Sequence, residues 1–525
     1  MRTKPVRPAA PTADLSAGLR QYLYFTAAIT GMVIMIVEIL GAKMLAPYVG
    51  TSHFVWTAQI AVTLMALATG YYAGGRLVDR TPQLGRLYGA ILAAAIYLCL
   101  TVLIVKPVAF WCLNFRLALG SLLASTVLFF VPLALLAMVG PFFVRMLTLS
   151  VNKVGGNVGR LTSIGTLGSF LGTILIGYVL IPFLPNSLTM FLSAGLLMLV
   201  SAGYFFRWNG KQTPVAAVLL AMIAGLTTGS VGVAEDNQPP KPEMATLFRG
   251  NSNFGQLLVL DVPQVSGGVH RVYLNDFLVQ DSYDPATKQS AAAFTYLLHG
   301  LARAYAPKID DALCIGLGVG IVPGELLRDG ARVDVVEINP AVVPVAKKLF
   351  DCPIDKLNLT IGDGRQFVNS CTKKYDAVIL DAFLGDSSPS HLMTREAFSA
   401  IHGVLNSNGV LVINTFGHFE RGHDFLTGSL DKTLKSVFRN VRIHATSRGN
   451  VAFVASDQPD LKLARPASFA DVHPDCRDDV ETAFADTAET DPHSGIVLTD
   501  DYNPSEFYDA RNREELRRLL ARSMQ

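Results

Sequence analysis

The stretch Ala312–Pro340, ALCIGLGVGIVPGELLRDGARVDVVEINP, decides the fold of the C-terminal part of this 525-residue chain. It predicts a buried strand, a glycine turn, a short helix and a second buried strand that ends on Glu337. Gly316, Gly318 and Gly320 allow the backbone to turn sharply and to approach a ligand, and the following helix offers free N–H groups. This order of elements indicates a nucleoside-binding unit.

Glu337 follows the glycine turn by about twenty residues, a spacing typical of nucleoside sites of this kind. A carboxylate at the tip of the second strand can accept hydrogen bonds from both hydroxyls of a ribose. The alternative is an ordinary tight turn between a strand and a helix. The apolar runs on both sides of the turn favour the nucleoside site.

Two later strands of the predicted sheet also end on acidic residues. One leads into Asp363 and Gly364, and the next leads into Asp381. Because the carboxyl ends of parallel strands meet at one edge of a sheet, we expect Glu337, Asp363 and Asp381 around one crevice. For Asp363 alone, the alternative is a cap at the start of a short helix.

The rest of the C-terminal half has two patterns. Residues 244–285 contain short β-branched runs separated by turn residues, which predicts a small antiparallel sheet. Residues 286–525 alternate strand and helix patterns, which predicts an α/β doubly wound, Rossmann-like domain of the methyltransferase type.

The N-terminal half has a different composition. Residues 21–233 are dominated by long apolar runs, and their only acidic residues are Glu38 and Asp79, so this half is predicted to be a multi-span α-helical membrane domain. Residues 1–20 are polar and basic, which predicts a disordered tail, and residues 234–243 form a linker. Seven spans are the plainest count, with six or eight as alternatives: 21–46, 54–75, 86–106, 119–139, 160–183, 186–206 and 213–233.

Basic residues bear on the orientation in an inner or plasma membrane. With seven spans, the basic loops all fall on one side, the cytoplasmic side, and the C-terminal domain then faces outward. The availability of an intracellular nucleoside instead favours the cytoplasm. Both orientations stay open.

Glu38 lies well inside the first predicted span, where a carboxylate is costly. Two roles are open for this intramembrane polar site: pairing within the helical bundle, or part of a substrate or proton path. The glycines of the second and fifth spans, by contrast, predict close helix packing.

Other chemistries leave no pattern in the sequence. The six cysteines form no CxxC and have no histidine at ligand spacing, so neither a metal site nor a disulfide framework is predicted. The net charge is +2 and the basic residues form no run, so a nucleic-acid partner is not predicted.

Four motifs in order, GLGVG, VVEINP, IGDGRQFV and YDAVILDAF, resemble the spermidine synthase family of aminopropyltransferases over residues 245–456. The whole chain resembles the membrane-fused branch of that family. The resemblance implies S-adenosylmethionine or its decarboxylated form as co-substrate, with no metal. It further implies roles for five residues: Glu337 holds the ribose hydroxyls, Asp363 and Gly364 the adenine, Gln280 lines the sulfonium side, and Asp381 is the general base.

This sequence departs from the family pattern at several positions. The family has an Asp in the glycine turn where this chain has Val319, a Tyr-His pair at Phe294 and Thr295, and a second Asp at Leu384. The loss of the turn Asp removes a charge that would repel the carboxylate of intact S-adenosylmethionine. Three acids are candidate replacements that would line the acceptor pocket: Asp386, Asp500 and Asp501.

Three functions are therefore open. The first is transfer of an aminopropyl-type group from an S-adenosyl sulfonium to an amine, which releases methylthioadenosine. The second uses S-adenosylmethionine itself, for methyl transfer or for cleavage to methylthioadenosine. The third is a transporter with a nucleoside-sensing domain. The predicted partners are a small-molecule amine or sulfonium, the lipid bilayer and a second copy of the chain in a homodimer.

Overall fold

The computed structural model describes residues 15–50, 53–148, 154–208, 215–236, 244–264, 267–276, 278–383, 389–447 and 449–524. Most of the predicted tail and linker, as well as Asp386, lie outside these residues. The chain divides into two compact units, one formed mainly by residues up to 238 and the other mainly by residues 239–525.

The first unit consists of helices joined by short connections. Its helices are α1 (Ala17–Val49), α2 (His53–Arg80), α3 (Leu84–Cys112), α4 (Leu117–Ser125), α5 (Val131–Ala137), α6 (Val139–Leu147), α7 (Val154–Leu175), α8 (Ile181–Phe183), α9 (Asn186–Arg207) and α10 (Val215–Asp236). Single π-helical turns, Thr126–Phe130 and Ile176–Leu180, join α4 to α5 and α7 to α8.

Six segments of the described chain are long and apolar enough to cross a membrane. They are Ala17–Val49, His53–Arg80, Leu84–Cys112, Leu117–Leu147, Val154–Phe183 and Asn186–Arg207. The seventh predicted span, 213–233, corresponds to α10, in which the described apolar helix is the shorter Met222–Val231. The prediction of a helical domain with several segments long and apolar enough to span a membrane is confirmed.

Glycines allow close contact between helices of the first unit. A Cβ atom on Gly168 would lie 2.0 Å from the carbonyl oxygen of Ala28, and one on Gly172 would lie 2.4 Å from that of Met32. Only a residue without a side chain lets the α1 and α7 backbones approach so closely. The packing role predicted for these glycines is confirmed.

Glu38 lies in α1 and is partly exposed. Within the described part of the chain, no residue forms an ion pair with it. The two roles predicted for Glu38, pairing within the bundle and part of a polar path, both stay predictions.

The second unit begins with a small antiparallel sheet of five strands in the order β1-β2-β3-β4-β5. The strands are β1 (Ala245–Ser252), β2 (Gly255–Pro263), β3 (Val269–Asn275), β4 (Leu278–Asp284) and β5 (Gln289–Ser290). Tyr273 pairs with Asp281 and Leu274 pairs with Val279, so Gln280 is an extra residue in β4. This β-bulge reverses which side chains of β4 point inward.

A seven-stranded sheet follows, in the order β11-β12-β10-β9-β6-β7-β8. Its strands are β6 (Asp311–Ile315), β7 (Arg332–Glu337), β8 (Asn358–Ile361), β9 (Tyr375–Leu380), β10 (Leu405–Phe416), β11 (Asn440–Ala445) and β12 (Asn450–Ser456). The helices of this unit are α11 (Ala293–Tyr305), α12 (Ile321–Arg328), α13 (Val342–Leu349), α14 (Gly364–Ser370), α15 (Arg395–Val404), α16 (Phe425–Lys435), α17 (Pro474–Ala485), α18 (Ser505–Tyr508) and α19 (Ala510–Met524).

The order of the large sheet creates a switch point. From β6 the chain moves through β7 to β8 on one side and then returns to β9 on the other side of β6, with all these neighbours parallel. In such sheets a crevice opens between the carboxyl ends of the two strands where the direction reverses. Here these strands are β6 and β9, so the doubly wound fold predicted from the sequence is confirmed.

Alternating side chains of the central strands build two cores. Ala312 and Cys314 of β6 contribute to one apolar cluster, whereas Leu313 and Ile315 contribute to the other. A strand that is apolar on both faces must be covered by helices on both sides. This arrangement holds the ends of β6 and β9 rigidly in place.

Candidate active site

The glycine turn follows β6 at the switch point. Gly316 has a φ of 101°, and a Cβ atom there would lie 2.1 Å from the carbonyl oxygen of Asp381. Only glycine lets the ends of β6 and β9 come together in this way. Gly320, with a φ of 85°, packs against Cys352 and begins α12, so its role is in the turn.

Glu337 ends β7 beside this turn and is 9% exposed. Its carboxylate accepts hydrogen bonds from the backbone N–H groups of Leu317 (2.8 Å) and Asn339 (2.7 Å). Burial raises the pKa of Glu337, although these backbone bonds oppose the shift. The carboxylate is thus fixed in orientation, and each oxygen keeps a second lone pair for a ligand hydroxyl.

Asp363 follows β8, and each of its carboxylate oxygens has a polar partner. Its Oδ1 accepts a hydrogen bond from the N–H of Gln366 (2.9 Å), so it caps α14 as the alternative prediction stated. Its Oδ2 lies 2.9 Å from Nε2 of His391. Burial alone would raise the pKa of Asp363, but the bonds from Gln366 and His391 lower it below the ordinary value.

Asp381 follows β9. Its Oδ1 accepts a hydrogen bond of 2.9 Å from Nδ2 of Asn414, which lies on the neighbouring strand β10. Burial raises the pKa of Asp381 from 3.8 to about 6, and the bond from Asn414 acts against that rise. A carboxylate with this pKa is ionised at neutral pH yet basic enough to accept a proton from a bound amine.

Asp281 is the acid that the sequence analysis missed. Plain alternation along β4 would turn Gln280 inward and Asp281 outward, but the bulge at Gln280 brings Asp281 to the buried face, where it is 5% exposed. Its pKa is raised well above the ordinary value by burial and by the negative charge of Asp381. No residue type in this part of the sequence indicates a bulge.

These residues line one cavity of about 540 Å³ within the second unit. Its lining includes four carboxylic acids and one histidine: Asp281, Glu337, Asp363, Asp381 and His391. Among the described residues, neither Lys nor Arg lines this cavity. Aromatic rings form much of the remaining wall: Phe254, Tyr273, Phe294, Phe383 and Phe416. A cavity with this lining suits a ligand that combines an aromatic group with positive charge.

Most residues predicted for the site line this cavity. They are Gln280, Gly316, Gly318, Glu337, Asp363, Gly364 and Asp381. Asp500 instead binds Arg365 (3.0 Å) and Thr394 (2.6 Å), and the exposed Asp501 is absent from the described lining. Asp500 lines a neighbouring pocket that shares His391 with this cavity, so a role of Asp500 or Asp501 toward an acceptor stays a prediction.

Of the four residues that depart from the family pattern, Leu384 lies outside the described residues, and the other three differ in their surroundings. Val319 is fully buried in an apolar core, and Thr295 is buried with its hydroxyl 2.8 Å from Ser290 Oγ. Phe294 lines the cavity. The turn and the start of α11 therefore bring no ionisable side chain to the site.

One cluster of metal-ligand residues lies apart from the cavity lining. Ligand atoms of His270, His473 and Asp475 lie within 4.8 Å of one another. However, Nδ1 of His473 already accepts a hydrogen bond from the N–H of Asp475 (3.2 Å) and caps α17. A cation here would face the positive end of the helix dipole, so the arrangement suits a helix cap better than a metal.

One family model matches a part of the chain that includes much of the cavity lining. The family model described as "Spermine/spermidine synthase domain" matches residues 291–447. This match covers less than half of the chain. The matched range includes the glycine turn and three of the four acids that line the cavity, while Asp281 precedes it.

Two curated relatives carry different names. The chain is 30% identical over 281 residues to the "N-terminal histidine N-methyltransferase" of Emericella nidulans, which covers 48% of each chain. It is 41% identical over 116 residues to the "Polyamine aminopropyltransferase" of Vibrio vulnificus, which covers 21% of this chain and 39% of the relative. The chain thus spans less than half the length of either relative.

Solved structures are also similar. The spermidine synthase from Thermotoga maritima aligns with a TM-score of 0.37 and 19% identity, over 46% of this chain and 84% of that one.

Proposed function

We propose that the cavity of the second unit binds an S-adenosyl sulfonium and that the chain transfers an aminopropyl-type group from it to an amine. The observation that carries this proposal is the buried carboxylate of Asp381 at the switch point, with a pKa of about 6, beside the glycine turn and Glu337. The spermine/spermidine synthase domain at residues 291–447 supports the same reading.

Each residue has a role in binding the donor. Glu337, held by the N–H groups of Leu317 and Asn339, accepts hydrogen bonds from the ribose hydroxyls. Asp363 and the backbone near Gly364 contact the adenine, for which the exocyclic amine must displace His391 from Asp363 Oδ2. The aromatic wall and the acids attract the positive sulfonium.

The chemical step needs a base. A primary amine enters as an ammonium ion, and Asp381 accepts one of its protons. The nitrogen lone pair then attacks the methylene carbon beside the sulfonium, a C–N bond forms and the C–S bond breaks. The electron pair of the C–S bond returns to sulfur, so that methylthioadenosine leaves as a neutral thioether. Asp381 finally releases its proton to solvent.

Product identity tests the proposal. The full-length protein in detergent is incubated with decarboxylated S-adenosylmethionine or S-adenosylmethionine, with and without diamines, and the products are identified by mass spectrometry. The proposal predicts methylthioadenosine together with an amine that has gained an aminopropyl-type group. Methylthioadenosine without an alkylated amine would indicate cleavage instead, and binding without any product would favour a sensor.

Methyl transfer is the second candidate. It is favoured by the similarity over 281 residues to a protein named as an N-methyltransferase. The same base could deprotonate the acceptor amine, but attack on the methyl carbon would release S-adenosylhomocysteine. The same product analysis therefore separates the two candidates.

The first unit extends the proposal to the membrane. Six apolar helices of sufficient length support an integral protein of the inner or plasma membrane. Extraction of the full chain from membranes by detergent, but not by sodium carbonate at alkaline pH, would test this. Release by carbonate would contradict it.

A further inference from the structure

Asp281 occupies a special place in the cavity. Its Oδ1 accepts a hydrogen bond from the N–H of Ser282 (2.8 Å), and for Oδ2 no hydrogen-bond partner exists among the described residues. A Cβ atom on Gly318 would lie 4.0 Å from Oδ2, so this oxygen faces the glycine turn. Asp281 therefore presents an open carboxylate oxygen to the site where the donor's sulfonium would lie.

The glycine turn itself supplies no acid. Val319, which stands where the resemblance leads us to expect an Asp, is fully buried in the apolar core. The negative charge has thus moved from the turn to the neighbouring strand β4, through the bulge at Gln280. Because β4 and the glycine turn lie side by side, an acid on either element can reach the same positively charged group of a ligand.

The charges that line the cavity indicate which ligand group Asp281 would bind. Asp281 and Asp381 are both buried, and the described lining offers neither Lys nor Arg to neutralise them. An additional carboxylate, such as that of intact S-adenosylmethionine, would meet like charge in a medium of low dielectric. An ammonium group, in contrast, would form a charge-assisted hydrogen bond.

We propose that Asp281 is a specificity-determining residue that binds the terminal ammonium of the donor's three-carbon chain and so selects a sulfonium without a carboxylate. This inference rests on the proposed function, because it assigns the donor for the same site. It predicts the opposite donor preference from the one that loss of the turn acid alone would favour.

Binding titrations test the inference without turnover. Isothermal titration calorimetry on the full-length protein in detergent uses three probes: methylthioadenosine, decarboxylated S-adenosylmethionine and S-adenosylmethionine. The wild type should bind the decarboxylated sulfonium more tightly than the intact one. Asp281→Asn should weaken binding of the decarboxylated form about 10- to 100-fold while changing methylthioadenosine affinity less than about twofold.

Two further variants complete the test. Asp281→Glu keeps the charge and should recover part of the affinity. Asp284→Asn removes a charge from the same strand outside the described cavity lining, where the carboxylate binds Thr287 and the N–H of Ala286, and should leave all three affinities unchanged.

Three results would overturn the inference. They are an equal loss of methylthioadenosine affinity in Asp281→Asn, unchanged affinity for the decarboxylated sulfonium, and wild-type preference for intact S-adenosylmethionine. None depends on catalysis, so a protein that binds as expected but forms no product would contradict the proposed transfer and leave the role of Asp281 intact.

Discussion

Asn414 donates a hydrogen bond of 2.9 Å from Nδ2 to Oδ1 of Asp381. The Oδ1 of Asn414 in turn accepts a hydrogen bond from Nδ2 of Asn450 (3.2 Å). This chain of amides fixes which way the Asn414 side chain faces, so that it donates to the carboxylate. The ionised form of Asp381 is thereby stabilised in a cavity that otherwise favours the neutral acid.

The first prediction concerns pH. Since burial raises the pKa of Asp381 to about 6, the rate should fall as pH decreases through about 6, where the base becomes protonated. Asn414→Leu removes the donor that stabilises the charge, so the acidic limb of the pH–rate profile should move to higher pH. Profiles of kcat/KM between pH 5 and 9 would show this shift.

A matched control exists on the same strand. Asn406 donates a hydrogen bond to Asp376 at the amino-terminal ends of β10 and β9, away from the cavity. Asn406→Leu should therefore leave the acidic limb of the pH–rate profile unchanged. An Asn414→Leu profile that superimposes on that of the wild type would remove Asn414 from the account.

The second prediction concerns stability. A buried acid whose pKa is raised from 3.8 to about 6 stabilises the fold below the lower value, and this contribution is lost as pH rises through the higher one. Asp381→Asn has no charge to bury, so its stability does not fall in this way. Its free energy of unfolding at pH 8 should exceed that of the wild type by up to about 3 kcal/mol. Thermal melts from pH 4 to pH 8 should show a difference that grows with pH. A variant that is less stable than the wild type at pH 8 would contradict this reading of the burial.

The third prediction concerns Glu337. Because its carboxylate is held by two backbone N–H groups and is 9% exposed, Glu337→Ala should weaken methylthioadenosine binding by about 2 kcal/mol or more. Calorimetry would measure the affinity. Glu325→Ala, in which the lost carboxylate pairs with the exposed Arg328, serves as the control and should bind normally. Unchanged binding by Glu337→Ala would place the ribose elsewhere.

The fourth prediction concerns the first unit. No ion pair joins Glu38 to another described residue, so Glu38→Gln should change stability by less than about 0.5 kcal/mol. Thermal melts in detergent would measure this. A large loss of stability would instead support the pairing role, while normal stability leaves a polar path as the remaining role of Glu38.

The sequence predicted the site residues that directly follow the parallel strands. Glu337, Asp363 and Asp381 could be predicted to meet because the carboxyl ends of neighbouring parallel strands share one edge. Asp281 could not, because a single extra residue at Gln280 reverses the faces of β4. Such a bulge depends on how β4 pairs with β3, which the amino-acid composition of β4 does not reveal.

Long-range pairs were the other limit. Asp500 was predicted to line the pocket, yet it pairs with Arg365, which is 135 positions away in the sequence. Likewise, Asn414 gained its role only from the antiparallel and parallel neighbours of β10, which bring Asn450 and Asp381 to its two sides. Contacts of this kind depend on the assembled sheet.

The central claim is that Asp381 acts as the base of an alkyl transfer and is not needed to hold the nucleoside. The most direct measurement compares wild type and Asp381→Asn for methylthioadenosine release from decarboxylated S-adenosylmethionine with a diamine, alongside methylthioadenosine affinity. We predict a loss of turnover of about 10² to 10⁴ with affinity changed less than about threefold. An Asp381→Asn protein that retains wild-type turnover, or a wild type that binds the sulfonium and releases no methylthioadenosine, would contradict the account.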